Sequence, residues 1–125
     1  MITKENVSNY INIDEVADAN YQPYGAVDFM LLVTGELTEM MMDLMEVDTI
    51  DYFDTYDAYI NIESDKTVSE IEFVFKPYED DCPWSEYYYK LDAEEQAVVL
   101  ARIEEEVKGK FHMTLDEMLR EAKGE

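Results

Sequence analysis

Apolar and polar positions alternate most clearly between residues 56 and 76. Tyr56, Ala58, Ile60 and Ile62 interleave with Asp57, Tyr59, Asn61 and Glu63. Beyond the polar turn Ser64-Asp65-Lys66-Thr67, Ile71, Phe73 and Phe75 interleave with Glu70, Glu72, Val74 and Lys76. A period of two on both sides of a turn predicts a β-hairpin, 56–63 with 68–76, that buries one face. Two strands alone are marginal in water. The run Glu86-Tyr-Tyr-Tyr-Lys-Leu91 supplies a third strand, reached through the loop Pro77–Trp84.

Elsewhere the steps are of three and four. Met30, Val33, Leu37, Met40, Leu44 and Val47 fall on one stripe, which predicts a helix over about 26–47. Gly35 in its middle costs ~1 kcal/mol against Ala. It leaves a second parse open, a strand over 27–33 followed by a helix starting near Leu37. Met40-Met41-Met42 reads as adaptable core filling, although so apolar a helix is also suited to a homodimer seam. Ala93, Ala97, Leu100, Ile103 and Val107 line a helix over 93–108, opened by the capping pair Asp92 and Glu95 and stopped by Gly109. Thr114 and Glu117 repeat the cap ahead of a helix over 115–122, with Met113 and Met118 placed as its staple. A short helix through Asp14–Ala19 and a turn at Tyr21–Gly25 complete the chain. The expected fold is a single α+β domain, 1–125, in which a small antiparallel meander packs against helices.

Charge narrows the functional classes. The 31 acidic residues against 9 basic ones leave a net charge of −22. Solubility alone asks for an excess of roughly 2 to 8 in a small domain. Such a density repels itself in the folded state, and a negative field that steers a basic partner is what it gives in return. Direct binding to nucleic acid or to an anionic membrane surface is disfavoured by the same repulsion. With 47% apolar residues the chain has enough to build a core. Cys82 is the single cysteine, which suits a reducing compartment. The longest strongly apolar run, Phe29–Val33, is far too short for a membrane span, and the first residues lack an apolar signal core. A cytoplasmic protein is expected.

Catalytic and metal chemistry find little support. Asn61, Glu63, Asp65 and Glu72 match some positions of an EF-hand loop, but Lys66 stands where the sharp turn needs Gly, and the flanks alternate as strands do. Zinc needs three or four ligands, usually Cys and His, and the chain has only Cys82 and His112. Asp80 and Asp81 beside Cys82 disfavour the thiolate that a Cys–His nucleophile pair requires. Among so many carboxylates, pairs at acid–base spacing arise by chance. No enzyme activity, cofactor or metal is expected.

Patterned charge remains. Residues 1–65 carry fifteen acids and Lys4 alone, a net of −14; residues 66–125 carry sixteen acids and eight bases, a net of −8. Asp48, Asp51, Asp54 and Asp57 recur every third residue among Tyr52, Tyr56 and Tyr59, and Glu63, Glu70 and Glu72 share the hairpin's outer face. Same-face strand residues lie roughly 6.6 Å apart. A nucleic-acid strand carries a charge about every 3.4 Å of axis. Carboxylates so spaced approximate a phosphate row, and tyrosines among them can stack on arginine.

In composition, and in the Asp48–Asp57 and Glu63–Glu72 patterns, the chain resembles the small acidic nucleic-acid mimics of phages and mobile elements, of the anti-restriction and anti-CRISPR type. The likeness is one of class and carries no diagnostic motif. It implies an inhibitor that occupies the positive groove of a nucleic-acid-binding enzyme such as an RNA-guided nuclease. The residues expected to bind the partner are Asp43, Glu46, Asp48, Asp51, Tyr52, Asp54, Tyr56, Asp57, Tyr59, Glu63, Glu70 and Glu72, with Glu79, Asp80 and Asp81 of the following loop. The rival expectation is an adaptor, antitoxin-like neutraliser or assembly subunit that binds through its Met-rich or C-terminal helices.

Overall fold

Alternating burial extends well beyond the hairpin. The computed structural model describes residues 1–21, 25–48, 53–77 and 84–123. Their order is α1 (Val7–Tyr10), β1 (Ile13–Tyr21), β2 (Ala26–Leu31), α2 (Gly35–Met45), β3 (Phe53–Ile62), β4 (Glu70–Pro77), β5 (Ser85–Lys90), α3 (Ala93–Phe111) and α4 (Leu115–Ala122). The strands form one antiparallel sheet in the order β1-β2-β3-β4-β5. The expected α+β meander is therefore present, with two more strands than the sequence reading supplied.

Both additions are corrections. The helix over 26–47 divides into β2 and α2, close to the second parse. Val27, Phe29 and Leu31 are buried while Asp28 and Met30 are only partly so, which is the period of a strand. Thr34 then caps α2, its hydroxyl accepting from the Leu37 amide at 3.1 Å. Gly35 thus falls in the first helical turn instead of a helix interior. The helix through Asp14–Ala19 is instead part of β1, whose Ile13 and Val16 pair with Leu31 and Phe29. The turn residues 22–24 lie outside the described residues.

The C-terminal helices follow their caps. Asp92 with Glu95 and Thr114 with Glu117 both form reciprocal capping boxes. α3 runs past Gly109 and ends at His112, which takes the left-handed conformation at φ 56°.

Among the described residues, the helices that pack on the sheet all do so on one side. Val27, Phe29 and Leu31 of β2, Ala58, Ile60 and Ile62 of β3, and Ile71, Phe73 and Phe75 of β4 meet Leu37 and Met41 of α2. Val99, Ile103 and Val107 of α3 and Leu115, Met118 and Leu119 of α4 join the same core. Each fully buried side chain of this size contributes roughly 1.5–3 kcal/mol. Lys66, at positive φ in the β3–β4 turn, ties that turn to the helices through Asp116 at 3.0 Å and Glu104 at 3.7 Å. No helix among the described residues is long and apolar enough to cross a membrane.

Candidate partner interface on the open face of the sheet

A sheet covered on one side sends every second side chain to the other. Here those side chains are mostly carboxylates and tyrosines. Glu15, Met30, Tyr59, Glu72 and Tyr88 stand opposite one another in a row across all five strands. Asp57, Val74 and Glu86 form a shorter row to one side. To the other side Asp28 stands opposite Asn61, and Glu70 opposite Lys90. Neighbouring strands lie about 4.8 Å apart and same-face residues roughly 6.6 Å apart, so the charges form a grid.

The grid is locally organised. The Asn61 amide donates to Asp28 at 2.7 Å, and the Tyr88 hydroxyl donates to Glu86 at 2.5 Å. Lys90 pairs with Glu70 and lies 5.4 Å from the Tyr88 ring centre. Asp28, Tyr59, Asn61, Glu70 and Glu72 line a shallow depression of about 180 Å³.

Crowding of like charge shows in the proton affinities. Partial burial raises the Glu72 carboxyl above its ordinary value; Glu86, Asp28 and Glu70 push it the same way, against a hydrogen bond with Tyr88. Burial raises the Tyr59 phenol too, followed by the fields of Asp57, Glu72, Glu15 and Asp28. The Tyr88 phenol is raised first by its bond to Glu86. Both phenols stay protonated at neutral pH.

Glu72 carries a stability consequence. Its folded pKa lies above the ordinary 4.5. The folded state therefore holds the proton more tightly across the window from 4.5 up to that folded value, and stability falls as pH rises through it. Above the window the cost is fully present. Glu72→Gln is expected to raise the urea midpoint at pH 7 by a few tenths of a kcal/mol equivalent, about what a partly exposed group allows. The gain should vanish near pH 4. A variant less stable than the parent at pH 7 overturns the crowding account.

The residues expected from sequence divide among several places. Asp57, Tyr59, Glu70 and Glu72 come together on the open face. Glu63 is exposed in the turn after β3, its amide bonded to the Thr67 carbonyl at 3.0 Å. Asp43, Glu46 and Asp48 are exposed at the C-terminal end of α2 and beyond it, in the helical layer. Tyr56 faces the helices, packs on the core and hydrogen-bonds Thr38. Asp54 lies in β3. Asp51, Tyr52, Glu79, Asp80 and Asp81 lie outside the described residues, as does Cys82.

Sequence reasoning missed Glu15, Asp28 and Glu86 as members of the face. The signal for Asp28 was present in the alternation of Val27, Phe29 and Leu31 around it. Among the described residues no group of His, Cys, Asp and Glu side chains is placed to hold a metal ion. No family model, curated protein or solved structure matches the chain.

Proposed function

We propose that the protein is a stoichiometric binder of a basic partner, and that its open sheet face stands in for a nucleic-acid backbone in the groove of a nucleic-acid-binding enzyme. The observation that carries this reading is the grid of Glu15, Asp28, Asp57, Glu70, Glu72 and Glu86 around Tyr59 and Tyr88. Carboxylates on a rigid sheet are pre-positioned, so less side-chain freedom is lost when a cationic groove closes on them. Protonated phenols among them offer flat surfaces and hydroxyls to arginine side chains without adding charge. An RNA-guided nuclease, with its positive channel, has the chemistry such a face fits.

Binding through the Met-rich helix is the weaker reading. Leu37 and Met41 of α2 are buried in the protein's own core, and Met40, Met42, Leu44 and Met45 pack against it. The apolar stripe is thus largely committed.

The test is capture from a host lysate at low salt, elution by a salt gradient, and displacement by added DNA or guide RNA. A nucleic-acid enzyme released by both is the expected result, because the contact is electrostatic and the two ligands share one groove. A partner that ignores both salt and nucleic acid sinks the mimic reading.

A further inference from the structure

The two edges of the sheet differ. At β1 the pairing with β2 is broken by repeated register shifts, and Asp14 and Glu15 are exposed. Irregular, charged edges resist the addition of another strand. β5 pairs with β4 over Ser85–Lys90 without a shift. Its exposed side chains include Tyr87 and Tyr88, and exposed Trp84 stands just before it.

The hydrogen-bonding phase of β5 follows from one bond. The Leu91 amide donates to the Ser69 carbonyl at 2.9 Å, in the same register as the pairs Tyr89 with Ile71 and Tyr87 with Phe73. Odd-numbered residues therefore exchange bonds with β4. The amides and carbonyls of Glu86, Tyr88 and Lys90 point to the outer edge, where no described strand pairs with them.

We infer that β5 is a homodimer seam, on which a second copy of the chain adds its own β5 in antiparallel pairing centred on Tyr88. Charge complementarity selects this occupant and this register. Among registers that align the outward groups, the one centred on Tyr88 sets Glu86 opposite the second copy's Lys90 and Lys90 opposite its Glu86. Tyr88 then meets its own counterpart, and Tyr87 meets Tyr89 on the helical side. The pairs 86 with 90, 88 with 88, and 90 with 86 each exchange both main-chain hydrogen bonds. Such an interface is self-complementary, as a twofold contact must be. The Lys90 side chain is 76% exposed and so can bridge Glu70 of its own chain and the incoming Glu86. The two sheets become one, and their open acidic faces continue across the axis.

The same charge count sets an unusual salt dependence. Two chains of −22 repel at long range, and salt screens that repulsion over distances beyond about 10 Å at 0.1 M. Dimerisation strengthens as salt rises from about 0.02 M to about 0.3 M, the opposite of binding to a basic partner. The seam does not rest on the proposed function, because it is tested with the purified chain alone.

Sedimentation over a concentration series, with the fluorescence of Trp84 followed in parallel, reads the equilibrium. Glu86→Lys and Lys90→Glu each place like charges opposite one another and should weaken the dimer at least about tenfold. The double variant restores opposite charges and should return to within about threefold of the parent. In the main chain Tyr88→Pro removes only an outward N–H, and the side chain it removes is exposed, so it should leave the monomer's circular dichroism intact and abolish the dimer. A chain that stays monomeric at high concentration and moderate salt overturns the proposal. So does a double variant that fails to recover, or a monomer whose 86, 88 and 90 amides gain hydrogen-exchange protection only from an added Lys/Arg-rich extended peptide.

Discussion

Glu95→Ala is expected to lower the unfolding free energy by about 3 kcal/mol, a large part of the 5–15 kcal/mol typical of a domain. Glu95 is a buried carboxylate, 4% exposed. Its Oε2 accepts from the Ile2 amide at 2.9 Å and from the Tyr89 hydroxyl at 2.8 Å, while its Oε1 accepts from the Asp92 amide at 3.2 Å. Truncation leaves the first two donors without a partner, at roughly 1–3 kcal/mol for a buried one. It also dismantles half of the capping box of α3. Burial first, and the Glu95 carboxylate second, push the Tyr89 phenol up to about 12, so it remains a donor at neutral pH. Glu95→Gln should cost less, because its carbonyl can serve one end while its amide must face the other donor. Urea melts should show a lower midpoint in the order parent, Gln, Ala, at constant slope. Equal midpoints for the parent and the Ala variant would remove Glu95 as the tie between the N-terminal segment, β5 and α3.

That tie was invisible in the sequence, where Glu95 read only as the third residue of a cap. A capping pattern is local, whereas its bonds to Ile2 and Tyr89 depend on tertiary placement. The central hairpin and α4 were legible for the opposite reason. Each carries a short, regular period bounded by polar turns or caps, and packing reinforced what the local pattern already preferred.

β2 was misread because apolar residues outside the core imitated a helical stripe. Met30 is only half-buried, and Leu32 and Val33 are 42% and 49% exposed. Met30 and Val33 nonetheless filled two places in the three-and-four spacing. The same error hid Asp28 from the candidate face, and the short helix read over Asp14–Ala19 hid Glu15. The three-residue recurrence from Asp48 to Asp57 is a different kind of pattern. Only Asp54 and Asp57 of that run fall in β3, Phe53–Ile62, and a step of three is not the same-face period of a strand. Asp57, Tyr59, Glu70 and Glu72 fall on one face because their period is that of the element.

The open face makes the second large prediction. Glu15→Gln, Asp28→Asn, Asp57→Asn and Glu72→Gln together remove four charges, and Asn at position 28 keeps an oxygen for Asn61. β5 is untouched, so loss of partner binding here is separable from loss of the dimer. At on the order of 1 kcal/mol for each charge met by a cationic groove, affinity for the captured partner should fall about a thousandfold. The salt slope should flatten as well. A matched set, Asp43→Asn, Glu46→Gln, Asp48→Asn and Glu121→Gln, removes as many charges from the helical side. If only the overall negative field mattered, the two sets would weaken association equally and chiefly through the on-rate. If the sheet face is the surface that enters the groove, the first set loses affinity mostly through faster dissociation, and the second changes it by less than about tenfold. Stronger loss in the second set would move the interface to the acidic end of α2, where Asp43 borders a groove shared with Glu36, Glu39 and Tyr89.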